Sequence, residues 1–391
     1  MPNFTQIWFG FSVLSLLIWL VLIGGWGGFW RCDQQLDADS SINTNNSDPY
    51  PSICVVIPAR NEADLLPITL RSLLTQTYRG SVQIIVVDDQ STDGTAAIAN
   101  DTAKQTAKNI TIINSQPLPT GWTGKLWAMA QGTRYAQTLN PDYILLTDAD
   151  ICHGSHNLQN LVAKAETENL DLTSIMVRLR CESRWEQWLI PAFVFFFQKL
   201  YPFAWVNNPQ NSMAAAAGGC ILIKTTALDR IGGISSIRQA LIDDCALAQA
   251  VKSTGGKIWL GLSDTTCSLR PYPNLQTIWD MVARTAYTQL NYSPLLLIGT
   301  LIGMGIIYIL PPLGLVLGLL LGQNYVTIAS GLTLTIMTIS YIPTIRFYRC
   351  PWWLSLCLPA IAFLYTLMTM DSAWRHWQGK GGAWKGRVYQ Q

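Results

Sequence analysis

The chain has 391 residues, enough for a catalytic-sized domain plus something further, and its formal net charge of +2 is too small to supply the global field that nucleic-acid binding uses. Charged residues make up only 13% of it and 16 positions are Trp, a composition suited to a chain that sits partly in lipid. Nine scattered cysteines with no C-x-x-C pair read as reduced thiols of a cytosol-facing domain and exclude a disulfide framework.

The run from Ile7 to Trp30 carries no charge and exceeds the ~20 residues that span a bilayer. It lacks a basic leading region and a small-x-small cleavage site, so residues 1–31 are expected to remain as an anchor. Residues 32–51, rich in Ser, Asn and Asp, read as a linker off the membrane. From residue 52 a rhythm sets in. "SICVVIP", "VQIIVVDD", "ITIIN" and "YILLTDAD" are apolar, β-branched strand patterns. Between them "EADLLPITLRSLLTQ", residues 93–108 and residues 126–137 have helical spacing. Such alternation predicts an α/β domain with a Rossmann-like, mostly parallel sheet and helical crossovers. Ligands bind such sheets outside the carboxyl ends of the strands. Polar residues gather there after three strands: Arg60–Asn61–Glu62, Asp88–Asp89 and Asp148–Asp150.

Beyond Leu170 "LDLTSIMVRLR" and "GGCILIK" are further strand patterns, and "DDCALAQAVKSTGG" is a helix begun by acids and ended by glycines. Residues 185–206 are apolar and aromatic, interrupted by Pro191 and Pro202, and short for a span. They read as a helix lying at the membrane interface, with a buried core helix as the alternative. The domain thus covers 52–290. No charged residue lies between Arg284 and Arg346, and the runs Leu295–Leu321, Tyr325–Ile342 and Trp352–Met370 are each long enough to cross. They define a C-terminal transmembrane region at 291–371, followed by a basic tail at 372–391. Four crossings set the tail and the domain on opposite faces. Arg375, Lys380, Lys385 and Arg387 favour the same face for both. Either Pro311–Pro312 splits one run into a re-entrant pair, or the last run lies flat.

An apolar strand ending in Asp148-Ala149-Asp150 poses a chemical question, because buried strands avoid charge. A turn at the tip can bring both carboxylates to one divalent cation, Mg or Mn, whose other positions take substrate phosphates; solvated loop acids are the alternative. His153 and His156 lie close by, but such metals prefer oxygen ligands. "GWTGK" fails as a phosphate loop, with Pro119 and Leu126 where Gly and Ser or Thr are needed, and no G-x-G-x-x-G follows the first strand. Asp243 and Asp244 open a helix, whose N-terminus favours an ionised carboxylate by ~0.3–1 kcal/mol. They are caps or a general base. Gly218 and Gly219 precede a strand and either serve a turn or let backbone approach a ligand.

Taken in order, "PARNEAD" (58–64), "VVDDQSTDGT" (86–95), "GKLWAMAQG" (124–132), "TDAD" (147–150) and "IDDCAL" (242–247) resemble the family 2 glycosyltransferases, nucleotide-diphospho-sugar transferases of the GT-A fold, across about 53–284. The resemblance implies that Asp89 accepts from the N3–H of uracil, with Asp88 orienting its loop. Pro58, Ala59, Arg60 and Glu62 would wall base and ribose, and Lys125 would border the nucleotide. Asp148 and Asp150 would hold the metal, Asp148 also facing the nucleotide-sugar. Gly219 would admit the donor sugar, Asp244 would act as general base with Asp243 as second candidate, and Arg284 would neutralise the leaving diphosphate. The Gln-x-x-Arg-Trp of processive synthases is broken by Met281 and Thr285, so polymer synthesis is not expected.

Longer runs, "GWTGKLWAMAQG", "IMVRLRCES", "IPAFVFFFQKLYPFAWVN", "AAAAGGC", "ALIDDCALA" and "MVARTAYTQLNYSPLLL", are similar to bacterial hopanoid (hopene)-associated glycosyltransferases, and more distantly the chain resembles ceramide glucosyltransferases. This implies a multi-pass enzyme of the bacterial inner membrane, its catalytic domain facing the cytoplasm. It would move a sugar from a UDP-linked donor to a lipid hydroxyl. The partners expected are a nucleotide-sugar, a lipid acceptor and membrane lipids, without nucleic acid. Three alternatives stay open: a polyprenyl-phosphate glycosyltransferase, a non-catalytic sugar-nucleotide-binding scaffold, and a nucleotidyltransferase.

Overall fold

A computed structural model describes residues 4–36, 50–106, 110–380, 383–384 and 387–388. Residues 37–49 of the expected linker, and Lys385 of the basic tail, lie outside the described residues.

The predicted strands form. They are β1 (Ile53–Ala59), β2 (Val82–Asp88), β3 (Thr111–Asn114), β4 (Tyr143–Thr147), β6 (Leu172–Arg178) and β7 (Cys220–Lys224). The sequence reading did not anticipate β5 (Ile151–Cys152) and β8 (Ile258–Ser268). All eight join one sheet in the order β3-β2-β1-β4-β7-β6-β8-β5. Every residue of β1 and β4 is buried, as a central strand covered on both faces requires. Alternate residues of β1 feed two cores. Cys54 and Val56 meet Leu126 and Leu247 on one side; Val55 and Ile57 meet Leu66, Leu70 and Leu158 on the other. Gly132 permits close packing on the first face, where a Cβ would sit 2.4 Å from Val56.

The first four strands pair in parallel, β3 with β2, β2 with β1 and β1 with β4. β7 then enters antiparallel between β4 and β6, while β6 and β8 are again parallel, so the sheet is mixed. The reversal has a positional consequence. Thr147 pairs with Cys220, which sets the end of β4 beside the start of β7. Asp148 and Gly218–Gly219 are thereby brought together. Residues 34–36 also dock on the sheet, since Leu262 donates to the Gln34 carbonyl at 2.8 Å and Leu36 donates to the Leu262 carbonyl at 2.9 Å. At least this part of the expected linker is therefore anchored.

Among the described residues four helices are long and apolar enough to cross a membrane: Gln6–Gly25, Pro294–Leu320, Asn324–Phe347 and Trp352–Trp377. Pro311–Pro312 does not split the second into a re-entrant pair. A π-helical turn at Gly305–Ile309 precedes the prolines, and the helix runs on from Leu310 to Leu320. A π turn re-registers the backbone ladder and so accommodates prolines that lack an N–H.

The aromatic segment expected at the membrane interface is helix Arg184–Leu200, then a short helix Phe203–Val206. A capping box starts it, with Ser183 Oγ accepting from Glu186 N at 3.1 Å and the Glu186 carboxylate accepting from Ser183 N at 2.7 Å. It lies between domain and apolar helices rather than lipid-facing along one side. Ile190 and Val194 enter the domain core; Leu189, Ala192 and Phe195 pack with Trp19, Tyr341 and Tyr365.

Candidate active site

Of the three strand ends expected to converge, those after β1 and β4 reach one cleft through Glu62, Asp148 and Asp150, and the Asp88–Asp89 end of β2 does not. Asp148 follows β4, whose last residue Thr147 donates its hydroxyl to the Gly219 carbonyl at 2.7 Å. Lys125 sits in the first turn of helix Gly124–Gln137, where the helix dipole disfavours a cation. Two carboxylates reverse that penalty, Asp148 Oδ1 at 3.0 Å and Asp243 Oδ2 at 3.1 Å from Nζ. Burial alone would push the Lys125 pKa down, but Asp148 and Asp243 outweigh it and hold the ammonium charged. Burial raises the Asp148 pKa, with Asp150 and Asp243 adding to the rise and Lys125 opposing it.

Asp150 has a different cation. Arg270, two residues beyond β8, donates from Nε to Asp150 Oδ2 and from Nη2 to Glu62 Oε1, both at 2.7 Å. Burial would lower its pKa, but the two acids overcompensate and raise it. The carboxylates after β4 are thus tolerated because Lys125 and Arg270 neutralise them. Sequence reasoning missed Arg270. The available signal was the strand-end rule itself, applied to "KIWLGLSDTTCSLR".

Asp244 opens helix Asp243–Ser253. It accepts from Gly218 N at 2.8 Å and Cys245 N at 2.7 Å. Its position at a helix start led to the expectation that it stays readily ionised. The structure differs, because burial and then the Asp243 charge raise its pKa to about 6, against the opposing pull of Lys125 and the two N–H donors. A Cβ at Gly218 would lie 3.3 Å from Asp244 Oδ2 and 3.4 Å from Lys125 Nζ, which gives this glycine a role beyond turn chemistry.

A cleft of about 740 Å3 joins these groups. Pro58, Glu62, Lys125, Asp148, Asp150, Gly219, Asp243, Asp244 and Arg284 all line it. Ala59, Arg60 and Asp89 are not part of its lining and sit where β1 and β2 end. There Arg60 Nη1 donates to the Asp89 carbonyl at 2.6 Å and lies 3.8 Å from its fully buried carboxylate. Asp88 accepts from Ser91 N at 3.3 Å, inside the loop it was expected to orient. The lining also has apolar members, Leu179, Phe193, Phe197 and Met281. Arg375 and Lys380 complete it from the C-terminal end of the last long helix, and Arg375 pairs with Asp280 at 2.6 Å.

His153 is buried, 3.1 Å from Thr147 Oγ1 and 3.0 Å from Asn157 Nδ2, and burial lowers its pKa to about 3. It is a neutral brace behind the strand end. His156 contacts Thr77 Oγ1 at 2.9 Å. Among the described residues no three His, Cys, Asp or Glu side chains form a protein cage for a metal. Mg or Mn bound with a diphosphate needs only one or two carboxylates, the remaining positions going to phosphate and water. The hard oxygens of Asp148 and Asp150 facing an open cleft fit that donor set.

Residues 54–232 match the family model described as Glycosyl transferase family 2. Over 112 residues the chain is 38% identical to a 4,4'-diaponeurosporenoate glycosyltransferase of Staphylococcus haemolyticus, a stretch covering 28% of each. Over 145 residues it is 30% identical to a probable glycosyltransferase of Bacillus subtilis, covering 36% of this chain and 33% of that protein. The chain spans less than half the length of the curated relatives it matches. Its fold is similar to that of a mannosyltransferase from Pyrobaculum calidifontis solved in complex with GDP-Man and Mn2+, with a TM-score of 0.53 and 17% identity over 94% of this chain and 99% of that one. Residues 54–232 thus match glycosyl transferase family 2, and the sheet has the GT-A fold.

Proposed function

We propose that this chain is a membrane-bound inverting glycosyltransferase of hexosyl type, moving a sugar from a UDP-linked donor to a lipid hydroxyl, with a hopanoid as acceptor. The observation that carries this reading is a single cleft with two chemistries. Its lining combines Asp148, Asp150, Lys125 and Asp244 with Phe193 and Phe197 of a helix packed against the apolar bundle. A water-soluble donor and a greasy alcohol could meet there. The hopanoid assignment rests on the residue runs from "GWTGKLWAMAQG" to "MVARTAYTQLNYSPLLL".

Asp244 is the general base. Its pKa of about 6 leaves it ionised at neutral pH yet basic enough to take a proton in the transition state. It takes the proton of the acceptor hydroxyl while that oxygen bonds to the sugar C1. The bond from C1 to the diphosphate breaks on the opposite side, which inverts the anomeric centre. Lys125 and Arg284 supply positive charge to the departing diphosphate, and Gly218–Gly219 keep the space beside Asp244 open. Pro58 and Glu62, which line the cleft, receive the base and ribose with Arg60 beside them, while the buried Asp89 holds Arg60 in place. A divalent cation held by Asp148 and Asp150, Mg or Mn, would neutralise charge developing on the diphosphate. Asp243 positions Lys125 through their 3.1 Å ion pair.

The test is mass spectrometry of lipids extracted after everted bacterial inner membranes bearing the full chain are given labelled UDP-sugars. A labelled glycolipid that disappears in Asp244→Asn is expected. A polyprenyl-phosphate acceptor needs no strong base, so large residual transfer by Asp244→Asn would favour that alternative. No donor consumption with any nucleotide-sugar would overturn the enzymatic reading.

A further inference from the structure

The last apolar segment is as long as a crossing helix, yet both its ends rest on the catalytic domain. At its start Cys350 Sγ lies 3.5 Å from Cys181 Sγ, just beyond β6, and Tyr348 is buried in the domain core. At its end Asp371 accepts from Trp279 Nε1 at 2.7 Å, Ser372 Oγ accepts from Tyr287 N at 2.9 Å, and Arg375 pairs with Asp280. In its middle the Tyr365 hydroxyl donates to the Leu189 carbonyl at 2.8 Å. Helix Leu358–Trp377 has 20 residues, ~30 Å of length and about the thickness of the hydrocarbon layer, so a crossing would separate its ends by the whole bilayer.

The other three long helices do run from one end of the bundle to the other. Phe9 meets Tyr325 and Ser12 Oγ lies 3.1 Å from Ser330 Oγ at the end far from the domain, whereas Cys32 lies 3.4 Å from Thr344 at the near end. Gly314 and Gly318 pack at the far end against Ser330 and Thr327.

We infer that Trp352–Trp377 does not cross the membrane but lies along its surface on the domain side, leaving three crossings and the tail on the catalytic face. The face it offers to lipid is an exposed stripe at seven-residue spacing, Leu356, Phe363, Met370 and Trp377, with Trp374 one turn before the end. Tryptophans settle at the headgroup level of membranes. The last helix packs beside the start of the crossing helix that begins at Pro294, because Ala373 meets Leu297 and Leu301. Charge agrees. Arg31, Arg284, Arg346 and Arg349 flank the near ends of the crossing helices, and the far-end stretch 320–325 has no charge. With three crossings Arg375 and Lys380 join the basic side, where they line the cleft.

The test uses sealed, everted membrane vesicles bearing the full chain with an epitope after Gln391, and separately with an epitope inserted after Gly322. With a protease that cannot cross the bilayer, the C-terminal epitope should fall below a tenth of its untreated signal together with the catalytic domain. The epitope after Gly322 should survive until detergent is added. Survival of the C-terminal epitope where the domain is digested overturns the inference. A photo-crosslinking residue in place of Phe363 should capture phospholipid; capture of a second copy or of another protein instead would overturn the lipid assignment.

Discussion

Asp244 combines a buried position with two backbone donors and a like-charged neighbour, and its behaviour with pH follows from that combination. Only the carboxylate can accept a proton, so transfer should fall about tenfold per pH unit below a limb near pH 6. Asp243→Asn removes a charge that raises the Asp244 pKa and should move the limb to lower pH in a pH–rate profile. Asp244→Asn should cost about 10²–10⁴ in turnover, measured with labelled donor. It should also raise the unfolding temperature at pH 7. A carboxyl whose folded pKa exceeds its unfolded value is unfavourable above pH 6, and that penalty is relieved as pH falls towards 4. Gly218→Ala presses a methyl towards both Asp244 and Lys125 and should lower turnover by up to about 10²-fold, with the fold retained by circular dichroism. The acids at 148, 150, 243 and 244 and Lys125 were legible because each stands at a strand end or a helix start. Arg270 obeys the same rule, but its partner Asp150 is 120 residues away in sequence, and no local pattern announces such a pairing.

Among the elements, helix Arg184–Leu200 joins the two halves of the molecule, and its start is the most heavily bonded cap described. The buried Glu186 accepts from Glu182 N, Ser183 N and Tyr272 N. Burial would raise its pKa, but these donors prevail and hold it below the usual carboxylate range. Ser183→Ala should therefore cost about 0.5–2 kcal/mol, read as a lower midpoint of unfolding in detergent. The aromatic content of this helix was legible and its surroundings were not, since a surface helix and a buried one can share the same apolar period. Strand β8 escaped notice for a related reason. Its apolar half, Ile258 to Leu262, reads as a strand, but the exposed Asp264 and Thr265 interrupt the pattern before Cys267 pairs with Cys152.

For the whole molecule, the domain and the apolar helices share one continuous set of contacts. Leu189, Phe195, Ile278 and Val282 of the domain are buried in one cluster with Trp19, Tyr341 and Tyr365 of the apolar helices. Residues 52–290 expressed alone would expose that surface, and size-exclusion chromatography should show aggregates rather than a monodisperse monomer. The full chain in detergent should elute as a defined species.

The sequence by itself determined the alternation of buried strands and helices, the strand ends where acids collect, and the four stretches apolar enough for lipid, because periodicity and composition are local. Tertiary structure alone decided which charges neutralise one another, that a glycine faces the proposed base, and that the last apolar helix has both ends on one domain. Those facts depend on distances between residues far apart in the chain, and hydropathy, being a sum over neighbours in sequence, carries no such distance.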